Sequence, residues 1–219
     1  MTHPTLSVET FVVGPFPNNL YLLRDDDAQE FVVVDPSIDS QAAIERSQEL
    51  IRSGYRLAAI WNTHGHVDHV HDNAHWKETF HVPIWMHEDD DFLLEYMREQ
   101  SIFLGLPPAS PIRADERFTD GQSLMVGTQT CEILHIPGHS PGSVGFYFPN
   151  ARLIISGDVL FKGSVGRTDL PGCDARELQN SLRRLARLPH ETRVLPGHYD
   201  STTIQTELES NPFYEGMFL

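Results

Sequence analysis

Apolar residues recur along this chain in short runs bounded by turn residues. Ser7 to Val13, Asn19 to Leu23 and Glu30 to Val34 read as three strands; the acidic turn Arg24 to Asp27 joins the last two, making a meander. Helical spacing follows over Asp39 to Ser53, where Ala43, Ile44, Leu50 and Ile51 share one side and Gly54 marks the stop. A strand at Leu57 to Trp61 completes a βα alternation. Val70 to Phe80 and Glu88 to Arg98 are predicted helices flanking a short strand at Pro83 to Met86. Leu104 to Phe118 carries Pro107, Pro108 and Pro111 and is predicted to be irregular. A loop of that length either edges a substrate entrance or is a packed surface excursion.

The second half repeats the pattern. Strands are predicted around Ser123 to Val126, Gln129 to Ile136, Ser143 to Phe148 and Arg152 to Ile155, then a helix from Asp174 to Arg187 and a strand at Arg193 to Leu195. Two β-rich halves, each followed by helices, suggest two sheets packed together with helices outside, an α/β (α+β) architecture. At 219 residues the chain is expected to form one domain spanning 1–219.

Composition adds the chemistry. The hydrophobic fraction of 40% and charged fraction of 21% are ordinary for a globular protein, whereas 12 histidines are an excess that suits metal binding. A formal net charge of -15 argues against nucleic acid or an anionic membrane as partner, since both select basic patches. Cys131 and Cys173 are too few for a disulfide scaffold, and no segment approaches the roughly 18 apolar residues of a membrane span. The N-terminus has neither a basic start nor an apolar run, so a cytoplasmic protein is expected.

Thr63-His64-Gly65-His66-Val67-Asp68-His69 places three imidazoles and a carboxylate within six residues, donors that zinc, iron and manganese accept. A helix would want ligands four apart on one face, so this segment is expected in a loop just past the strand that ends at Trp61. Three more apolar runs end in a glycine followed by a ligand-type residue: Gly138-His139, Gly157-Asp158 and Gly197-His198. Glycine lets the backbone turn tightly and approach its neighbours, which a site assembled from separate strand ends requires.

These residues resemble the H-x-H-x-D-H motif and the later histidine, aspartate and histidine of metallo-β-lactamase-fold hydrolases. Within that fold, the segments Gly138 to Ser143, Gly157 to Phe161 and Gly163 to Gly172 resemble short glyoxalase II-like (hydroxyacylglutathione hydrolase-like) proteins. The resemblance implies a four-layer αββα sandwich of two mixed β-sheets flanked by helices. It implies two divalent metal ions, zinc, iron or manganese: one on His64, His66 and His139, the other on Asp68, His69 and His198, with Asp158 bridging. The implied reaction is attack by a hydroxide held between the metals on a small-molecule thioester such as S-2-hydroxyacylglutathione (S-lactoylglutathione), with Asp68 orienting the nucleophile or taking its proton.

Asp35 is a candidate to orient a ligand histidine, and His71 to hydrogen-bond a ligand or narrow the pocket. Lys162, Arg167 and Tyr199 are candidate substrate contacts. His3, His75, His81, His87, His135 and His190 match no ligand position and are expected to be surface or structural. Longer glyoxalase II enzymes carry a C-terminal helical domain that helps to bind glutathione, and this chain is expected to lack it. Two other readings stay open: a mononuclear iron persulfide dioxygenase, and a lactone or β-lactam hydrolase on the same fold.

Overall fold

In the computed structural model, residues 6–215 are described; His3 lies outside them. The first sheet holds six strands in sequence order. β1 (Leu6–Val13), β2 (Asn18–Asp25) and β3 (Glu30–Val34) are antiparallel, and β4 (Arg56–Trp61), β5 (Ile84–His87) and β6 (Glu116–Phe118) then run parallel to β3. Parallel neighbours need crossovers. These are α1 (Gln41–Arg52), the pair α2 (Val67–Val70) and α3 (Asn73–Phe80), and the pair α4 (Asp91–Glu95) and α5 (Met97–Leu104).

The second sheet begins with the antiparallel strands β7 (Ser123–Val126), β8 (Gln129–His135), β9 (Val144–Phe148) and β10 (Leu153–Gly157). A small ribbon, β11 (Leu160–Phe161) with β12 (Ser164–Val165), precedes α6 (Ala175–Leu185). β13 (Arg193–Pro196) then pairs parallel to β10, β14 (Thr202–Thr203) closes the edge, and α7 (Ile204–Ser210) follows.

Strand periodicity sorts the apolar residues into layers. In β3, Val32 and Val34 face the second sheet, while Phe31 and Val33 join the cluster that contains Ala43 and Ile44 of α1 and Trp76 of α3. With both faces covered, the strand reads as an unbroken apolar run. The second sheet divides in the same way: Ile133 and Ile155 point between the sheets, while Leu134 and Ile154 pack with Leu178, Leu182 and Leu185 of α6. The four layers expected from the resemblance are present.

Topology brings the ligand turns to one end. β8 and β10 are both antiparallel to β9 and β13 is parallel to β10, so the C-terminal ends of β8, β10 and β13 lie together. Val144 N–H at the start of β9 donates to Thr63 O at 2.8 Å, which joins that end to the loop after β4.

Three expectations need correction. His64 to His66 lie in a loop, but Asp68 and His69 sit on the single turn α2. The helix expected over 70–80 is therefore split: α2 ends at Val70 and α3 starts at Asn73. The helix expected over 88–98 is likewise interrupted, at Tyr96, and α5 runs on to Leu104. Tertiary contacts override the local pattern here, because Val67 N–H is held by the Gln100 side chain of α5 at 3.1 Å. The short elements β11, β12, β14 and α7 carry too few residues to show a period.

The loop after α5 is packed. Leu106 and Ala109 are buried with Val67, Val70 and Met86, so this segment braces the helical turn that presents Asp68 and His69. At another junction between the sheets, buried Asp25 accepts from Asp27 N and Ala28 N at 2.9 and 3.1 Å and from Thr128 N and Oγ1 at 2.7 and 2.6 Å. Burial pushes this carboxyl up, but the four hydrogen bonds outweigh it and hold it below the ordinary carboxylate range. Asp25→Ala is expected to cost about 2–3 kcal/mol at pH 7 in urea unfolding, since buried donors lose a charged acceptor. Because the folded pKa is depressed, the difference from wild type should shrink as pH falls below about 4. A difference independent of pH would show that the carboxylate is not the cause.

Candidate metal centre

Five imidazoles and two carboxylates from four separate segments converge where the ligand turns meet. His64 and His66 leave the loop after β4, and His139 leaves the Gly138 turn after β8. Their ring centroids are 4.6 to 4.9 Å apart, and His66 Nδ1 lies 2.9 Å from His139 Nε2. His64 Nε2 is buried with no hydrogen-bond partner. Gly138 has φ +134° and packs against the start of α6; a Cβ there would lie 2.2 Å from Leu178 N, so only glycine makes the turn that delivers His139.

The second donor set is Asp68 and His69 of α2 with His198 from the turn after β13. Asp68 Oδ2 lies 3.6 Å from His69 Nε2 and 3.5 Å from His198 Nε2, and the two ring nitrogens are 3.2 Å apart. Asp158, just after β10, faces both sets. Its Oδ2 is 3.6 Å from His139 Nε2 and 3.3 Å from His198 Nε2, and its Oδ1 is 3.4 Å from His69 Nε2. The structure thus brings together all seven residues singled out in the sequence.

Electrostatics differ between the two sets. Burial and the neighbouring imidazoles push His66 down to about 3, and His64 also falls well below its ordinary value. Burial lowers His198 as well, but the Asp158 carboxylate more than reverses this and raises it to about 9; His69 rises for the same reason. Asp68 and Asp158 are driven below the ordinary range, against burial, chiefly by the charge on His69. A cation entering the second set therefore displaces protons, as metal binding at histidine generally does.

Surrounding groups orient the rings. Asp35, buried and with φ +50°, accepts from Thr63 N at 2.7 Å, Thr63 Oγ1 at 2.6 Å and His69 Nδ1 at 3.2 Å, which leaves His69 Nε2 facing the site. His139 Nδ1 similarly donates to Arg167 O at 3.0 Å. Two supports lay outside the sequence reading. Asp90 is buried and accepts from Gly65 N at 2.8 Å, Ser140 Oγ at 2.7 Å and Gly142 N at 2.6 Å, fastening the His64–His66 loop to the His139 turn. Asn18 places Nδ2 3.2 Å from both Asp68 Oδ2 and His69 Nε2. Neither is signalled by a motif, since one stands in an acidic stretch and the other at a strand's start.

Other candidates fall elsewhere. His71 is bonded to Asp72 Oδ1 and Pro107 O, each at 3.0 Å, so it anchors the loop after α5; these hydrogen bonds go to no ligand residue, which corrects the expectation that it bonds one. Its place on the turn after Val70 points it to that loop. Lys162 pairs with Asp200 and Arg167 with Asp169, and all four are solvent-facing. Tyr199 is 71% exposed, adopts φ +67° and lies edge-on to Phe161 beside His198. His87, Asp89 and His135 form a further group, but the two rings are stacked at 4.1 Å and 6°, so their in-plane lone pairs run parallel and do not converge on one ion. A cavity of about 450 Å³ beside Gly166, Arg167, Gln179 and Phe213 adjoins the loop that receives His139 Nδ1 rather than the converging donors.

Three groups of buried or half-buried nitrogen and oxygen donors, each with its donors within 4.8 Å of one another, with one imidazole nitrogen unpartnered, fit divalent cations. Asp158→Ala is expected to lower metal content at both donor sets, measured as metal per chain after reconstitution and desalting; full content would show that the carboxylate is not shared. Asp90→Asn, which leaves one of three donors without an acceptor, is expected to weaken metal binding by roughly tenfold in a chelator competition. Unchanged affinity would show that the two loops hold their spacing without it.

The comparisons with known proteins agree with this centre. The family model described as Metallo-beta-lactamase superfamily matches residues 13–198. Hydroxyacylglutathione hydrolase GloC of Haemophilus influenzae is 37% identical over 211 residues, 95% of this chain and 98% of that protein. Among solved structures, the BLEG-1 B3 metallo-beta-lactamase superposes with a TM-score of 0.86 at 37% identity, covering 96% of this chain and all of that one. TTHA1623 in a di-iron-bound form superposes with a TM-score of 0.85 at 38% identity over 94% of this chain and all of that one. With that family match spanning the whole donor set, the chain belongs to the metallo-beta-lactamase superfamily.

Proposed function

We propose that this protein is a dinuclear metal-dependent hydrolase that cleaves a thioester of the S-2-hydroxyacylglutathione class. The observation that carries the reading is Asp158, whose two carboxylate oxygens face two complete donor sets. A shared anion reduces the repulsion between cations held close together. The similarity to a hydroxyacylglutathione hydrolase supports the choice of substrate, and the di-iron form of a similar structure supports two metals.

Two divalent cations held by these residues would supply Lewis acidity and lower the pKa of a bound water towards about 7. The chain's own groups do the rest. Asp68, kept anionic beside His69 and His198, is placed to orient an attacking water. Asp35 and the Arg167 carbonyl hold the His69 and His139 rings so that each Nε2 stays turned to the site. A thiol leaves as thiolate near neutral pH and needs little help from an acid, whereas the nitrogen of an opened lactam must be protonated.

At the rim, Tyr199 beside His198 offers an aromatic face, and Lys162 and Arg167 offer cations now paired with exposed carboxylates. An anionic glutathione moiety can exchange its own carboxylates for Asp200 and Asp169. No helix among the described residues is long and apolar enough to cross a membrane, and a small-molecule substrate needs none.

β-Lactam hydrolysis is the second reading, favoured by the likeness to the BLEG-1 structure. The test reconstitutes the protein separately with zinc, iron and manganese and counts metals. It then measures S-lactoylglutathione hydrolysis, turnover of a chromogenic cephalosporin and oxygen uptake with glutathione persulfide. Two metals with thioester hydrolysis as the fastest reaction is the expected result. Faster cephalosporin turnover would replace the substrate class, and one iron with oxygen consumption would overturn the hydrolase reading.

A further inference from the structure

We infer that the Asn18 carboxamide, turned so that Oδ1 faces the cluster, is an additional neutral ligand of the cation held by Asp68, His69 and His198. This rests on the two-metal reading above and extends it to a residue outside the seven.

The first support is spacing. Asn18 Nδ2 lies 3.2 Å from Asp68 Oδ2, 3.2 Å from His69 Nε2 and 3.5 Å from His198 Nε2. Those three atoms are themselves 3.2, 3.5 and 3.6 Å apart. Donors about 2.1 Å from one ion stand about 3.0 Å apart at right angles and about 3.4 Å apart at tetrahedral angles, so these spacings suit a shell of four to six donors. The end of the amide therefore occupies a vertex of a polyhedron the right size for a cation.

A second, independent observation is the other end of the same group. Asn18 is completely buried, and its Oδ1 has no hydrogen-bond partner. A buried carbonyl without a partner is costly, and an amino group facing a cation is repelled. Rotating the carboxamide by half a turn about its last torsion exchanges the two ends without moving the backbone. It turns the carbonyl oxygen to the cation and gives up the hydrogen bond that Nδ2 donates to Asp68 Oδ2.

The backbone holds the group in place for this. Asn18 bridges to His198, Asn19 N–H donates to Gly197 O at 2.7 Å, and Asn19 Nδ2 donates to Pro196 O and Tyr199 O. The start of β2 is thus stitched to the turn that carries His198, and Asn18 stays opposite that ligand as the sheets pack.

The consequence is an asymmetric pair. The first set offers three imidazoles and a share of Asp158, a four-donor arrangement. With Asn18 the second set offers two imidazoles, two carboxylates and an amide oxygen, a harder and more crowded shell.

Cobalt(II) is a suitable probe because its visible absorption reports coordination number. Metal-free wild type, Asn18→Ala and Asn18→Asp are titrated with cobalt(II), with the thermal midpoint of each metal-free protein recorded alongside. Wild type should bind two equivalents; binding of only one would overturn the two-metal reading itself. Asn18→Ala should keep the first equivalent, bind the second at least tenfold more weakly, and show stronger absorption as the coordination number drops. Asn18→Asp restores an oxygen and adds charge, so it should bind the second equivalent at least as tightly as wild type, and this arm decides the matter if the alanine variant fails to fold. A second equivalent in Asn18→Ala with wild-type affinity and spectrum, or no recovery in Asn18→Asp, would overturn the inference.

Discussion

Five imidazoles and two carboxylates must be kept within a few ångströms of one another and largely out of water, and the rest of this fold answers that demand. Ionisable groups are costly to bury unless they are paired or bound to a cation. Here the cost is met by sharing: His69 and His198 lie against Asp68 and Asp158, while His64 and His66 remain neutral among other rings. The donor set is stable as a set, and removing one member leaves its neighbours with unbalanced charge.

The architecture serves this by putting the ends of β4, β8, β10 and β13 at one edge of two facing sheets. Rigid strands fix where each turn begins, and a few buried polar groups fix where it goes. Asp35 ties the His64 loop to His69, Asp90 ties the same loop to the His139 turn, and the Asn18–Asn19 pair ties β2 to the His198 turn. Each spans donors from different segments, so ligand spacing depends on tertiary packing rather than on any local motif. The loop after α5 adds a brace from outside, through His71 and the buried Leu106 and Ala109.

Function divides along the same lines. The interior of the centre is specified by buried groups whose positions are over-determined. Outside it, Lys162 and Arg167 are exposed and paired with other surface groups, and exposed Tyr199 lies against the buried Phe161. A centre specified from within fits a superfamily that includes both a hydroxyacylglutathione hydrolase and a β-lactamase.

The alternation of apolar runs and glycine-ended turns was enough to mark most strands, the layering and all seven donor residues, because those features are local: a strand shows its period, and a ligand turn shows its glycine and its histidine or aspartate. The donors on α2 were legible as residues but not as a helical turn, since that turn is held by Gln100 from a distant helix. His71 carried the same residue type as a ligand partner yet turned to Pro107, because its direction is set by the loop packed against it. Asp90 and Asn18 had no local signature at all. The sequence by itself marked the seven candidate donors and, through the family resemblance, their expected grouping; only the tertiary structure decided how closely they approach and what holds them there, because those relations run between segments dozens of residues apart.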